Sequence, residues 1–137
     1  MKKLLCLALA AMLCLALAAC AVAEGNWKIA ILTGTTSQGE EEFRAAERAR
    51  KADPEHIVTD TYPDNFMAET ETTISKLIAF ASDPDVKAIV MCQAVPGAKA
   101  AFDKIRAMGR DDMLLIAGVP QEDPAVITAA ADFVLYT

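Results

Sequence analysis

Seven side chains have the chemistry to hold a small polar molecule: Thr35, Ser37, Gln38, Asn65, Phe66, Gln93 and Gln121. Six offer hydroxyl or amide groups that donate and accept hydrogen bonds without carrying charge. Phe66 offers a flat apolar ring for stacking. They fall in four short segments, Gly34-Thr35-Thr36-Ser37-Gln38, Pro63-Asp64-Asn65-Phe66, Gln93-Ala94-Val95-Pro96-Gly97 and Pro120-Gln121-Glu122-Asp123, each following an apolar run. Gln93 is the most telling, because a polar amide at the end of an apolar strand needs a partner. The other residues have structural readings too. Ser37 with Glu40 has the spacing of a capping box. Asp64, Asn65 and Asp123 suit helix caps, Glu40-Glu41-Glu42 suits the first turn of a helix, and Phe66 could equally staple its helix.

Several chemistries are absent from the sequence. His56 is the single histidine, so a His-based triad or zinc cluster has no second member. No GxSxG elbow occurs. Of the four cysteines, Cys6, Cys14 and Cys20 lie in the first twenty residues, and Cys92 suits a core position.

The first residues read as a secretion signal over 1–23. Lys2 and Lys3 precede an apolar run from Leu4 to Ala18, which is short for a membrane span of about 20 residues. Leu17-Ala18-Ala19-Cys20 has the form of a lipobox, with Cys20 as the lipidated residue. Ala21-Val22-Ala23 has the form of a cleavage site that would release a chain starting at Glu24, and both readings stand. The protein is therefore expected outside the cytoplasm, periplasmic or at the cell surface, touching membrane only through a lipid anchor. From Glu24 onward 11 basic and 19 acidic side chains remain, a formal charge of −8 with no basic cluster. That argues against a nucleic-acid partner.

Residues 24–137 are enough for one small domain. Trp27 to Thr33 reads as a buried strand, followed by a helix from Ser37 to about Ala52 that Asp53-Pro54 stops. His56 to Tyr62 is a β-branched strand. Asp64 or Asn65 opens a helix whose stripe is Met67, Thr70, Ile74, Leu77, Ile78 and Ala81. Val86 to Val95 is a strand, Pro96 starts a third helix, and Gly109 ends it. Met113 to Val119 is a strand, Asp123-Pro124 opens a short helix, and a fifth strand begins at Asp132. This alternation predicts an α/β fold with a doubly wound parallel sheet in order 2-1-3-4-5 and helices on both faces. The chain stops in or just after strand five, so a truncated lobe is expected, with one face of that strand lacking its cover.

The segments TGTTSQGEEEFRAAE, TYPDNFMAETETTIS, DPDVKAIVMCQAVPG and IAGVPQEDP resemble a family of bacterial exported proteins of unknown function, itself similar to the type 1 periplasmic binding proteins. The resemblance runs from Trp27 on and rests mainly on TYPDNFM and QAVPG. It implies an amino-terminal lobe of a two-lobed receptor that closes on its ligand by a hinge motion. It also implies an ATP-driven transporter as partner, no catalytic residue and no cofactor. Two alternatives come from the residues themselves. Thr33-Gly34-Thr35-Thr36 could serve as the phosphate loop of a flavodoxin-like carrier. An exported hydrolase would need catalytic groups outside the residues present.

Overall fold

The structure, a computed structural model, describes residues 26–136; the leader and Cys20 lie outside them. The elements are β1 (Lys28–Thr33), α1 (Thr36–Ala52), β2 (Ile57–Thr61), α2 (Thr70–Ser82), β3 (Val86–Met91), α3 (Ala98–Ala107), β4 (Leu114–Gly118), α4 (Pro124–Thr128) and β5 (Phe133–Leu135). The strands form one sheet in order β2-β1-β3-β4-β5, and every neighbouring pair is parallel. Among the described residues no helix is long and apolar enough to cross a membrane.

The three central strands bury one face of the sheet completely. Ala30 and Leu32 of β1, Ile89 and Met91 of β3, and Leu115 and Ala117 of β4 all point to that side and have no exposure. Against them α2 brings Ile74, Leu77 and Ala81, α3 brings Ala101, Phe102 and Ile105, and α4 brings Ile127. Each large apolar side chain so buried contributes about 1.5–3 kcal/mol. The opposite face is different. There α1 packs mainly on β2 and β1, and Thr59 donates to Glu47 Oε1 across the gap at 3.0 Å. Among the described residues helices lie on both faces, but on the α1 side the expected cover is incomplete at Leu114 of β4 and at Phe133 and Leu135 of β5, which are exposed.

Three helix starts differ from expectation. Thr35, not Ser37, caps α1, accepting from the Ser37 N–H at 3.2 Å. The expected capping box fails because Gly39 leaves helical geometry, with φ −160° and ψ 80°. Neither Asp64 nor Asn65 caps α2; residues 64–68 form turns and the helix begins at Thr70. Asp64 is engaged by the loop after β1 (below), and Met67 is exposed rather than part of the buried stripe. Pro96 sits in a turn, so α3 starts two residues later behind Gly97, whose φ of 101° suits a glycine. Asp123 does cap α4, accepting from Ala125 N–H at 2.8 Å.

The strands' amino ends are closed by side chains. Arg110, at 15% side-chain exposure, sends its guanidinium to the carbonyls of Ala81, Asp83 (3.1 Å) and Val86 (2.5 Å), and to Asp112 Oδ1 (3.0 Å). Trp27 stacks on His56 with ring centres 4.0 Å apart, and His56 Nδ1 lies 2.9 Å from Asp53 Oδ1.

Candidate functional site

Parallel strands put the loops after β1, β2, β3 and β4 at one edge of the sheet, where ligands of such folds bind. The structure connects these loops to one another. Thr35 Oγ1 donates to Asp64 Oδ1, and Gln38 Nε2 donates to the Asp64 carbonyl at 2.7 Å, joining the first loop to the second. Tyr62 OH donates to Gln93 Oε1 at 3.3 Å, and Gln93 Nε2 donates to Glu42 Oε1 at 3.1 Å, tying β2's end to the third loop and to α1. Ala94 N–H donates to the Gly118 carbonyl at 2.8 Å and Gln121 N–H to the Ala94 carbonyl at 2.9 Å, joining the third loop to the fourth. The Glu122 carboxylate accepts from Gly97 N–H at 3.2 Å and Lys99 N–H at 2.9 Å. It thereby supplies the acceptor that the start of α3 lacks on its own side chains.

All seven sequence-predicted residues thus sit on this one rim. Ser37, Gln38, Asn65 and Gln121 are exposed there, while Thr35, Phe66 and Gln93 are half-buried. Phe66 is in part a staple: its ring meets Tyr62 edge-on at 5.6 Å and packs against the core. Gln93 finds both its amide partners inside the protein, so its amide is oriented before anything binds. Four further residues belong to the rim, Glu42, Tyr62, Asp64 in its bridging role, and Glu122, and all but Tyr62 carry no local sequence signal for that role. For Tyr62 a hint existed, since a hydroxyl-bearing ring closes a strand just before Pro63.

The centre of the rim is electrostatically unusual. Burial, then the Glu42 charge and Cys92, push the Tyr62 hydroxyl up to about 12. Burial, then Glu42, likewise raises the Cys92 thiol, which holds it in the unreactive protonated form. One prediction follows from the sign. The unfolded chain releases the tyrosine proton near the ordinary value of 10.0, whereas the fold keeps it to about 12. The Tyr62 contribution to stability is therefore complete below pH 10 and declines as pH climbs from there towards 12. Urea midpoints taken from about pH 9 to about pH 11 should fall, and Tyr62→Phe should flatten that fall. An unchanged slope in Tyr62→Phe would mean that another group governs it.

Backbone strain marks the same edge. Val119, directly after β4, has φ 38°, a left-handed conformation that a β-branched residue avoids. Gly34 is required at the end of β1, because a Cβ there would lie 2.7 Å from Gln38 Cβ and 2.9 Å from the Tyr62 hydroxyl. Three concavities lie away from the rim: one of about 210 Å³ beneath α1, lined by Thr33, Glu47 and Thr61 among others, one of about 370 Å³ around Trp27 and His56, and one of about 440 Å³ beside Ala81 and Arg110. Among the described residues no group of three His, Cys, Asp or Glu side chains could hold a metal ion.

A five-stranded parallel sheet in this order, with helices on both faces and polar loops gathered at the carboxyl ends, defines a doubly wound α/β domain of the Rossmann and periplasmic-binding-protein kind. The chain belongs to the family described as Protein of unknown function (DUF3798), whose model matches residues 27–137. It is similar to two uncharacterized proteins of Treponema pallidum (strain Nichols). One is 37% identical over 117 residues, covering 80% of this chain and 52% of the relative. The other is 44% identical over 59 residues, covering 43% of this chain and 27% of the relative. The chain therefore spans about half the length of the first relative, and less of the second. Its fold is similar to a candidate transcriptional regulator from Clostridium difficile 630, with a TM-score of 0.72 at 22% identity, covering 80% of this chain and 33% of that one.

Proposed function

We propose that this protein is an exported solute-binding receptor that takes a small polar ligand at the carboxyl-end rim, between this domain and a second lobe in the intact protein. The observation that carries the reading is the continuous hydrogen-bonded linkage of four loops and α1 through Thr35, Asp64, Tyr62, Gln93, Glu42 and Ala94. Loops fixed to one another lose little freedom when a ligand lands on them, which is what affinity for a small molecule requires. Exposed Asn65, Ser37 and Gln121 then supply hydrogen bonds, and Phe66 supplies the edge of an apolar surface.

The charges point to the ligand's character. Glu42, Asp64 and Glu122 stand at the rim, on a domain of formal charge −8. An anion would meet repulsion there, so a neutral or cationic ligand rich in N–H and O–H donors fits best. The same argument weighs against a flavin phosphate in the loop after β1, where the Thr35 hydroxyl is already given to a carboxylate. Delivery to an ATP-driven transporter would follow from such a receptor role.

A thermal-shift screen of the full-length protein against nucleosides, sugars and amino acids tests this. A ligand at a hundred times its Kd stabilises by about 2.7 kcal/mol, a shift of several degrees. Asn65→Ala and Gln121→Ala, both at exposed positions, should leave the unliganded melting point in place and weaken the response. A screen in which nothing raises the melting temperature would overturn the receptor reading. Mass spectrometry of the mature protein addresses export: a lipid-modified Cys20 or a start at Glu24 supports it, and an intact Met1 or its simple removal opposes it.

A further inference from the structure

The acids of the rim differ in what answers their charge. Glu122 accepts from two backbone N–H groups at the start of α3, and Asp64, at an exposed position, accepts from the Thr35 hydroxyl. Glu42 is half-buried, and its donor is the neutral Gln93 amide, which reaches Oε1 at 3.1 Å. The remaining half-buried carboxylates among the described residues each meet a basic side chain. Glu47 meets Arg50, Asp53 meets His56, Asp60 meets Lys76, and Asp83 and Asp85 share Lys28. Glu42 has no such partner among the described residues, and its second oxygen, Oε2, has no donor there. That oxygen is not sealed in, because Thr73 Oγ1 is the one buried polar side-chain atom of the described residues that lacks a partner. A molecule arriving from solvent can therefore reach it.

The first turn of α1 makes room for this carboxylate. Gly39 leaves helical geometry there, in an extended conformation open to any residue. The need for glycine lies in the space instead. A Cβ at Gly39 would collide with Glu42 Oε2 and stand 3.9 Å from Gln93 Nε2. The charge so placed is felt at the centre of the rim, where it adds to burial in raising both the Tyr62 hydroxyl and the Cys92 thiol.

A half-buried carboxylate attracts a cation more strongly than an exposed one, because water screens it less. The form of the cation follows from the oxygens. Gln93 holds Oε1, so a guanidinium, whose planar fork suits both oxygens of a carboxylate, finds a poor match. A compact ammonium needs one oxygen. We propose that Glu42 is a specificity-determining residue of the rim, and that it selects ligands carrying a protonated amine, which pairs with Oε2 beside the Gln93 amide. This inference rests on the receptor reading and narrows its ligand class.

The test measures dissociation constants of the full-length protein for matched amine and hydroxyl compounds: putrescine against butanediol, glucosamine against glucose, and aminodeoxyadenosine against adenosine. At least one amine should bind about tenfold or more tightly than its hydroxyl counterpart, the margin of one charge-assisted hydrogen bond. Glu42→Gln still offers Gln93 an acceptor, so it should erase that margin while the melting temperature and the hydroxyl compound's affinity stay in place. Gly39→Ala, which displaces the carboxylate without removing it, should also erase the margin. Glu41→Gln removes the same charge from an exposed neighbour and should preserve it. Hydroxyl compounds that bind as well as their amines would overturn the role of Glu42 and leave the receptor reading standing. Equal loss in Glu41→Gln would assign the preference to the overall charge of the domain and overturn it too. No binding by any member of either set would overturn the receptor reading, and this inference with it.

Discussion

Arg110→Ala should lower stability by about 3 kcal/mol, read as a drop in the urea midpoint at constant slope. The reason lies in what the guanidinium holds. Its fork reaches the carbonyls of Ala81, Asp83 and Val86 while its Nε reaches Asp112. These carbonyls close α2 and start β3, where Asp83 also accepts from Val86 N–H. Half-buried carbonyls stripped of their donor each cost about 1–3 kcal/mol where water reaches them poorly, and less where it enters. Arg110→Lys keeps the charge but not the planar fork, so it should recover less than half of the loss. Because the clamp sits at the amino ends of the strands, a ligand response at the other end should survive in either variant. A loss below about 1 kcal/mol in Arg110→Ala would show that water replaces the guanidinium.

Gly118→Ala should cost as much and should also damage the rim. A Cβ at this position would stand 2.6 Å from the Cys92 carbonyl oxygen and 3.2 Å from that of Met91. Both obstacles are backbone of the adjacent strand, so no side chain can swing aside. The strand ends must separate, at about 1–3 kcal/mol for overpacking, and the Ala94–Gly118 and Gln121–Ala94 hydrogen bonds lengthen with them. Gly109→Ala provides the comparison. Gly109 has φ 82° but nothing within 4 Å of its would-be Cβ, so only the strain of the left-handed backbone is felt, about 1 kcal/mol. The first variant should lose both melting temperature and ligand response, and the second only a little of the former. If the two cost the same, the close approach of β4 to β3 does not constrain the rim.

The architecture was legible because apolar runs and breakers are local. Asp53-Pro54, Asp83-Pro84 and Gly109 end helices where expected, and the alternation of five apolar runs with helical stripes led to the observed strand order. The errors came from competition between equally plausible local partners. Ser37 and Thr35 flank the start of α1, and only the three-dimensional position of Asp64 shows that the Thr35 hydroxyl both turns inward and caps. Asn65 begins a run with helical spacing, yet Phe66 and Met67 divide between core and solvent in a way that a single stripe does not allow. The rim's residue list was readable from the rule that loops after parallel strands converge. Its wiring was not, because the Tyr62–Gln93 and Gln93–Glu42 hydrogen bonds span 31 and 51 residues. Glu42 in particular reads as one more first-turn acid beside Glu40 and Glu41. Its neighbours Glu40 and Glu41 are exposed and Glu40 pairs with Arg44, whereas Glu42 is drawn inward to an amide.

The stacked pair at the amino edge governs how this protein can be watched. Trp27 is the sole indole in the chain, and it lies a full strand away from Gln93's end of the sheet, roughly 20 Å by the rise of β1. Its emission reports on the imidazole beneath it and on global melting, while an occupant of the far edge leaves it dark to the event. Calorimetry, or a fluorophore placed near Asn65, will see what intrinsic fluorescence misses.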